Sequence, residues 1–141
     1  MRLRLLKEGN RQTLYSIEQG YSVSNYLAEL EKTNASGHAQ IMRRLEYLAD
    51  SGANGDKRQY RPLGNGLFEA KAKSGPRVLF FYDEGFIVLC VAGLNKQSQK
   101  TPKRDLDTAL SRKKAYLDFK KTGGDFVICR SPNDPEPRRK P

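Results

Sequence analysis

The sequence predicts an α+β fold in which a helical hairpin packs on a small antiparallel β-sheet and a further helix follows near the C-terminus. Two patterns of hydrophobic periodicity predict it. Apolar residues recur every three to four positions over 23–49, as on one face of a helix, and every second position over 67–73, as in a strand. A chain of 141 residues suits one compact domain.

The N-terminal segment predicts two short strands. Arg2 to Lys7 begins by alternating charged and apolar residues, as an edge strand does. Gly9 and Asn10 indicate a turn, after which Thr13 to Glu18 forms a second strand or an extended lead-in to the hairpin.

The helical hairpin is expected between residues 20 and 49. Gly20 and Ser22 open the first helix, and Ser22 or Ser24 can accept hydrogen bonds from its exposed amides. Residues 33–37 break this helix. The second helix then runs from about His38 to Ala49, with an apolar stripe facing inward.

A three-stranded antiparallel meander is predicted after a polar loop at 52–65. Its strands are Leu67 to Lys73, Arg77 to Tyr82 and Phe86 to Leu94. Ser74-Gly75-Pro76 forms the turn between the first two strands. The third strand is almost continuously apolar, which is typical of a central strand buried on both faces.

The C-terminal third of the chain predicts one helix and little else. Thr101 is expected as the N-cap and Pro102 as the first helical residue, and the helix continues to Lys121. Phe126 to Cys129 can form one short strand. Residues 131–141, which contain four prolines, are expected to be a disordered tail.

The positive charge of the chain is concentrated in two windows. The formal net charge is +10. Residues 57–77 carry six basic and one acidic side chain, and residues 96–121 carry nine basic and three acidic ones. Clustered cations repel one another unless a polyanion neutralises them, so nucleic acid is the expected partner. The alternative is a solvated basic face kept for solubility.

Cysteine content and hydropathy predict a cytoplasmic protein. Cys90 and Cys129 are too few for a disulfide framework and are expected to be reduced thiols. The longest apolar run, Phe86 to Ala92, is far shorter than the ~20 residues of a membrane helix. The N-terminus has no evident secretory signal. With a single histidine and no cysteine pair at ligand spacing, no metal site and no cofactor are expected.

The hairpin at 69–81 carries the first candidate site. A turn at 74–76 places Lys73 opposite Arg77 and Lys71 opposite Leu79 on one face of the sheet. Like charges directly opposite each other are destabilising, so Lys73 and Arg77 are expected to share an anion. The alternative is that both long side chains turn away into water.

A second group of cations surrounds the start of the last helix. Cations oppose the helix dipole at this end, whereas free amides together with cations suit a phosphate. The alternative is that Asp105 and Asp107 neutralise them as surface pairs. The members of the group are Lys96, Lys100, Lys103 and Arg104.

Three segments resemble a known group of proteins. Tyr60 to Lys71, Ser74 to Val78 and Asn95 to Pro102 are similar to the RelE/ParE toxin superfamily, above all to its HigB-like, phage-associated branch. The similarity covers roughly residues 22–119 and keeps the order helix, helix, three strands, helix. It implies a toxin domain at 1–121 with a C-terminal extension at 122–141.

The resemblance implies a metal-independent endonuclease that cuts mRNA on the ribosome and belongs to a type II toxin–antitoxin system. The ribose 2'-OH would attack its own 3' phosphate, which needs a base, cations on the phosphorane and an acid. The implied partners are the ribosome, mRNA and an antitoxin of the helix-turn-helix type.

The resemblance also implies roles for individual residues. Arg77 would bind the phosphate and Lys71 would transfer protons, with Lys73 beside them and Glu69 either as the base or as the partner of Lys71. Several relatives have a tyrosine or histidine near the position of Thr101 and Lys103. The residues expected to hold RNA phosphates are Arg61, Lys96, Lys100, Lys103 and Arg104.

Two other functions remain open at this point. One is inhibition of DNA gyrase, as in ParE-like members, which needs fewer basic residues on the strands. The other is a non-catalytic relative that binds nucleic acid or protein.

Overall fold

The computed structural model describes residues 1–52, 59–96, 100–130 and 138–139, which form one mixed sheet with helices on both faces. The strand order is β3-β4-β5-β6-β2-β1-β7-β8. The α+β class predicted from periodicity is confirmed. The elements are β1 Arg2–Glu8, β2 Thr13–Ile17, α1 Val23–Thr33, α2 Ala35–Ser51, β3 Tyr60–Gly64, β4 Leu67–Lys71, β5 Pro76–Asp83, β6 Ile87–Asn95, α3 Lys103–Lys121, β7 Val127–Cys129 and β8 Arg138–Arg139.

Local capping explains both ends of the helical hairpin. The hydroxyl of Ser22 accepts from the amide of Asn25, and the Asn25 side chain accepts from the amide of Ser22, which is a capping box. Asn34 is the only residue between the helices: its amide donates to Leu30 and its side chain accepts from the amide of Gly37. The predicted start at His38 is therefore wrong, because Asn34 already caps α2.

Each face of the sheet has its own core. The helices α1 and α2 cover one face, where Leu30, Ile41 and Leu45 pack on the sheet. The small side chains of Ala70 and Ala72 lie fully buried on this face, so α2 can lie close to β4. The helix α3 covers the other face, where the core includes Leu67, Leu79, Phe81, Leu89, Val91, Ala109 and Tyr116.

The structure adds a strand where the sequence predicts a loop. β3 pairs with β4 in antiparallel fashion, and Asn65 and Gly66 connect them with φ angles of 55° and 77°. Two such residues form the tight turn that suits the twist of a hairpin. Pro62 argues against a strand in the sequence, because proline is disfavoured within sheets. The structure tolerates Pro62 because β3 lies at the edge of the sheet. The predicted meander is therefore part of a larger sheet.

The register of the β4–β5 hairpin differs from the prediction by two residues. Lys71, not Lys73, lies opposite Arg77. The amide of Ala72 donates to the carbonyl of Pro76 at 3.0 Å, so the turn consists of residues 73–75. A shift of two residues keeps each side chain on the same face of the sheet. The prediction of which side chains share a face of the sheet is therefore correct, although the predicted cross-strand pairs are wrong.

The C-terminal part of the described chain closes the other side of the sheet. β7 lies parallel to β1 and confirms the strand predicted at 126–129. β8 pairs with β7 where a disordered tail is predicted, and the remaining residues after Arg130 lie outside the described part. Cys90 and Cys129 are buried free thiols. None of the helices in the described ranges is long and apolar enough to cross a membrane.

Candidate functional site

One acidic side chain lies at the centre of the basic region. Glu69 points from β4 to the α3 face and has no exposed surface. Its place follows from strand alternation, since Leu67 on the same face belongs to the core beneath α3. Because an isolated buried carboxylate is unfavourable, its partners define the site.

Three cations from different parts of the sheet surround Glu69. Lys96, which follows β6, places its Nζ 3.0 Å from Oε2 of the carboxylate. From β3, Arg61 places Nη2 3.5 Å from Oε1, and from β5, Arg77 places Nε 3.7 Å from Oε1. Three positive charges facing one negative charge leave a local excess of two. We call Glu69, Arg61, Arg77, Lys96 and Thr101 the Glu69 cluster.

Thr101 completes the Glu69 cluster instead of capping α3. Its hydroxyl donates to Oε2 of Glu69 at 2.7 Å and accepts from Lys96 at 3.0 Å and from Arg61 at 3.3 Å. The helix begins at Lys103 without a side-chain cap, and the carbonyl of Pro102 accepts from the amides of Asp105 and Leu106. The predicted N-cap is therefore wrong, because the Thr101 hydroxyl bonds these three side chains and not an amide of α3.

Burial makes two cations of the Glu69 cluster, Lys96 and Arg77, costly to keep charged. Burial lowers the pKa of Lys96, and the neighbouring Arg61 and Arg77 add to this, while Glu69 opposes it. The pKa of Arg77 is likewise lowered by burial and held up by Glu69. In the described part of the chain, Nε of Arg61, Nε of Arg77 and Oε1 of Glu69 are buried without a hydrogen-bond partner. An anion entering the cluster would accept from the two Nε groups and favour the charged forms of Lys96 and Arg77.

Arg77 is less exposed than its expected role suggests. Its side chain is only 11% exposed, and Nη1 donates to the carbonyls of Ala72 at 2.6 Å and Pro76 at 3.0 Å. Arg77 therefore also holds the turn between β4 and β5. Lys71 lies directly opposite on the neighbouring strand and is half-buried, so two cations stand side by side.

The remaining predicted residues lie farther out. Lys73 is exposed in the turn and does not face Arg77. Lys103 and Arg104 are exposed on the first turn of α3, and Lys103 reaches Asp107 only at 4.0 Å. Lys100 is exposed at the rim of an open cavity of about 410 Å³ that adjoins the cluster. The lining of this cavity is Arg61, Pro62, Leu63, Lys100, Thr101 and Leu106.

The sequence interpretation missed Thr101 as a site residue. It named Arg61, Glu69, Arg77 and Lys96 separately, and the structure brings them together. Nothing near Thr101 in the sequence points to Glu69, which lies 32 positions away. Across the described ranges, no group of three or more acidic, histidine or cysteine side chains is arranged to hold a metal ion.

Fold and site together define a small α+β protein with a buried, positively charged cluster suited to an anion. A family model described as "Phage derived protein Gp49-like (DUF891)" matches residues 28–114, more than half of the chain. The chain belongs to this phage-derived, toxin-like family of the RelE superfamily. The match covers every residue of the Glu69 cluster. Among curated proteins, none matches the chain.

Proposed function

We propose that the chain is the toxin of a type II toxin–antitoxin system, of the HigB-like kind, and that it cleaves mRNA on the ribosome. The observation that carries the proposal is the Glu69 cluster, in which three cations converge on one buried carboxylate. A cationic excess of this kind suits a phosphate whose negative charge grows in the transition state.

The proposed reaction is a metal-independent transesterification. The 2'-OH attacks the adjacent phosphorus, the P–O5' bond breaks, and the products are a 2',3'-cyclic phosphate and a 5'-OH. The base takes the 2'-OH proton and the acid gives a proton to the 5' oxygen. Arg77 would hold the phosphate oxygens and Lys71, half-buried beside it, would transfer protons.

The geometry favours different roles for the other candidates. Glu69 is fully buried and already accepts from Thr101 and Lys96, so we assign it to holding the cations instead of acting as the base. Lys73 is exposed and would contact the RNA backbone. Lys96 and Arg61 would hold the phosphate at the cleavage point. The contacts with neighbouring phosphates would come from Lys100, Lys103 and Arg104.

The proposed antitoxin partner follows from the toxin-like family of the chain. A toxin needs an antitoxin, and we expect a small helix-turn-helix protein whose acidic residues cover one of the two basic windows or wedge against the helices. The chain would bind the ribosome and mRNA in the cytoplasm. Co-expression with the product of a neighbouring gene should restore growth and yield a complex on purification.

Induced expression with mapping of mRNA 5' ends tests the proposed function. Wild type should stop growth and produce cuts in translated messages. Arg77→Lys keeps the charge but loses the planar fork that binds phosphate oxygens in pairs, so cuts should become rare at equal protein abundance. Arg43→Lys is the matched control, because Arg43 is exposed on α2, on the opposite face of the sheet.

Two outcomes would overturn the proposal. A DNA-damage response with intact mRNA would identify a gyrase inhibitor. Normal growth of cells that contain folded wild-type protein would identify a non-catalytic relative.

A further inference from the structure

We propose that Thr101 is a positioning residue whose hydroxyl joins Glu69, Lys96 and Arg61 into one rigid anion-binding unit. The inference rests on the proposed function for its substrate, an RNA phosphate. It goes beyond that function by assigning a role to a residue that would touch neither the substrate nor a reacting atom.

The hydrogen-bonding capacity of the Thr101 hydroxyl is fully used inside the protein. A hydroxyl has one hydrogen and two acceptor lone pairs. Its hydrogen goes to Oε2 of Glu69 at 2.7 Å, and its oxygen accepts from Lys96 at 3.0 Å and from Arg61 at 3.3 Å. The residue is 4% exposed. No donor or acceptor remains for a substrate, so any effect on RNA must act through these three side chains.

These bonds also connect parts of the chain that are distant in sequence. Arg61 belongs to the edge strand β3, Glu69 to β4, and Lys96 follows β6, while Thr101 lies two residues before α3. The carboxylate binds Lys96 directly at 3.0 Å, but Arg61 lies 3.5 Å from Oε1, which accepts no hydrogen bond from the described residues. A neutral hydroxyl between them accepts from both at defined angles, and so sets where their remaining N–H groups point.

A role as a helix cap does not account for Thr101. No side chain caps α3, and the residue that immediately precedes the helix is Pro102. Removing the hydroxyl should therefore leave the helix intact while the cations lose a common acceptor. A displacement of about 1 Å at a phosphate-binding group is enough to slow a reaction about 100-fold.

The test compares Thr101→Val, which removes the hydroxyl at nearly constant shape, with Thr101→Ser, which keeps it. Both are measured in the full chain for single-turnover cleavage on ribosomes, and for binding of a short RNA carrying 2'-O-methyl groups, which cannot be cut. Thr101→Val should cleave about 10- to 100-fold more slowly and bind the RNA more weakly. Thr101→Ser should stay close to wild type in both. Thr108→Val is the control, because its hydroxyl donates to the carbonyl of Arg104 in the same helix.

The outcomes separate this inference from the proposed function. If Thr101→Val matches wild type, or if Thr101→Ser is as impaired as Thr101→Val, the hydroxyl does not position the cations. Should Thr101→Val fail to fold, Thr101→Ala takes its place in the same comparison with Thr101→Ser. If wild type cuts no RNA, the proposed nuclease function fails, and binding of the methylated RNA still decides the role of Thr101.

Discussion

At the scale of single residues, the Glu69 carboxylate organises the site. A fully buried carboxylate is stable only with strong donors, and here the Lys96 ammonium and the Thr101 hydroxyl lie within 3.0 Å. The same arrangement serves the cations, which would repel one another without it. Glu69 therefore acts as an internal counter-ion that gathers positive charge without neutralising all of it.

This role predicts that Glu69→Gln is destabilised and that phosphate restores part of the loss. Removing the charge of one partner from a buried network costs about 3 kcal/mol, so the free energy of unfolding should fall by that order. Added phosphate should raise the Tm of the variant more than that of wild type, because the anion replaces the missing carboxylate. Thermal unfolding over a phosphate series measures both effects.

Glu46→Gln is the matched control, since Glu46 is half-exposed and pairs with Lys7 at 3.5 Å. The free energy of unfolding of Glu46→Gln should differ from that of wild type by less than about 1 kcal/mol. An unchanged stability and phosphate response in Glu69→Gln would show that the cations are held by something else.

At the scale of elements, α3 is attached to the sheet by polar contacts as much as by its core. Only Ala109 and Tyr116 are fully buried along its 19 residues. Arg112 donates to the carbonyl of Val91 at 2.7 Å, and both Tyr116 and Lys120 donate to Asp83 at the end of β5. Asp83 thus anchors the C-terminal half of α3. At the other end, Thr101, which precedes α3, is bound to Glu69.

The anchor predicts acid sensitivity. Burial alone would raise the pKa of Asp83, but the hydrogen bonds from Tyr116 and Lys120 hold this pKa below its ordinary value. A lowered pKa contributes stability above the unfolded value of 3.8, and this contribution is lost as pH falls through the folded value. Asp83→Asn should therefore be less stable at neutral pH and lose less stability on acidification.

Urea unfolding between neutral and acidic pH measures the effect, with Asp107→Asn as an exposed control on α3. Parallel pH profiles for Asp83→Asn and wild type would contradict the assignment.

The exposed start of α3 predicts a contribution to RNA binding through counterion release. Each phosphate contact that is lost should flatten the plot of log K against log salt by about one unit. Lys100→Gln combined with Lys103→Gln should therefore lower the slope by about two, while cleavage at saturation is slowed much less. Binding and single-turnover cleavage across a salt series provide the measurement.

Lys114→Gln with Lys121→Gln removes the same charge from the C-terminal half of α3, where both side chains are exposed. In this variant, the slope of log K against log salt should fall by less than in the Lys100/Lys103 double variant. Equal slopes in the two double variants would indicate that only the net charge acts.

At the scale of the whole molecule, the segment after α3 extends the sheet. Val127 to Cys129 lies parallel to β1, the amide of Val127 donates to the carbonyl of Met1, and Ile128 and Cys129 are buried. Both ends of the described chain therefore meet on one side of the sheet, away from the Glu69 cluster.

This arrangement predicts that a chain ending at Lys121 is less stable than one ending at Arg130. Burial of a side chain such as Ile128 contributes about 1.5–3 kcal/mol, and the shorter chain also exposes the edge of β1. The chain ending at Arg130 should unfold close to the full-length protein. Denaturant unfolding of the three lengths decides the matter, and equal stability of the shortest chain would mean that β7 adds nothing to the fold.

The sequence by itself determined the features that depend on neighbouring residues. The Ser22 cap, the alternation that sends Glu69 and Ala70 to opposite faces, and the two basic windows all follow from short-range patterns. The strand faces were predictable even though the β4–β5 register was wrong, because side chains alternate with a period of two.

Only the tertiary structure decided which of these side chains meet. Glu69 contacts Lys96 and Thr101 because β4, β5 and β6 are aligned side by side and α3 begins beside their ends. The local sequence does not show whether Thr101 caps the helix or bridges the cations, because both roles use the same hydroxyl. Its partner was fixed by the packing of segments about thirty residues apart, which brings Thr101 and the three cations to one carboxylate.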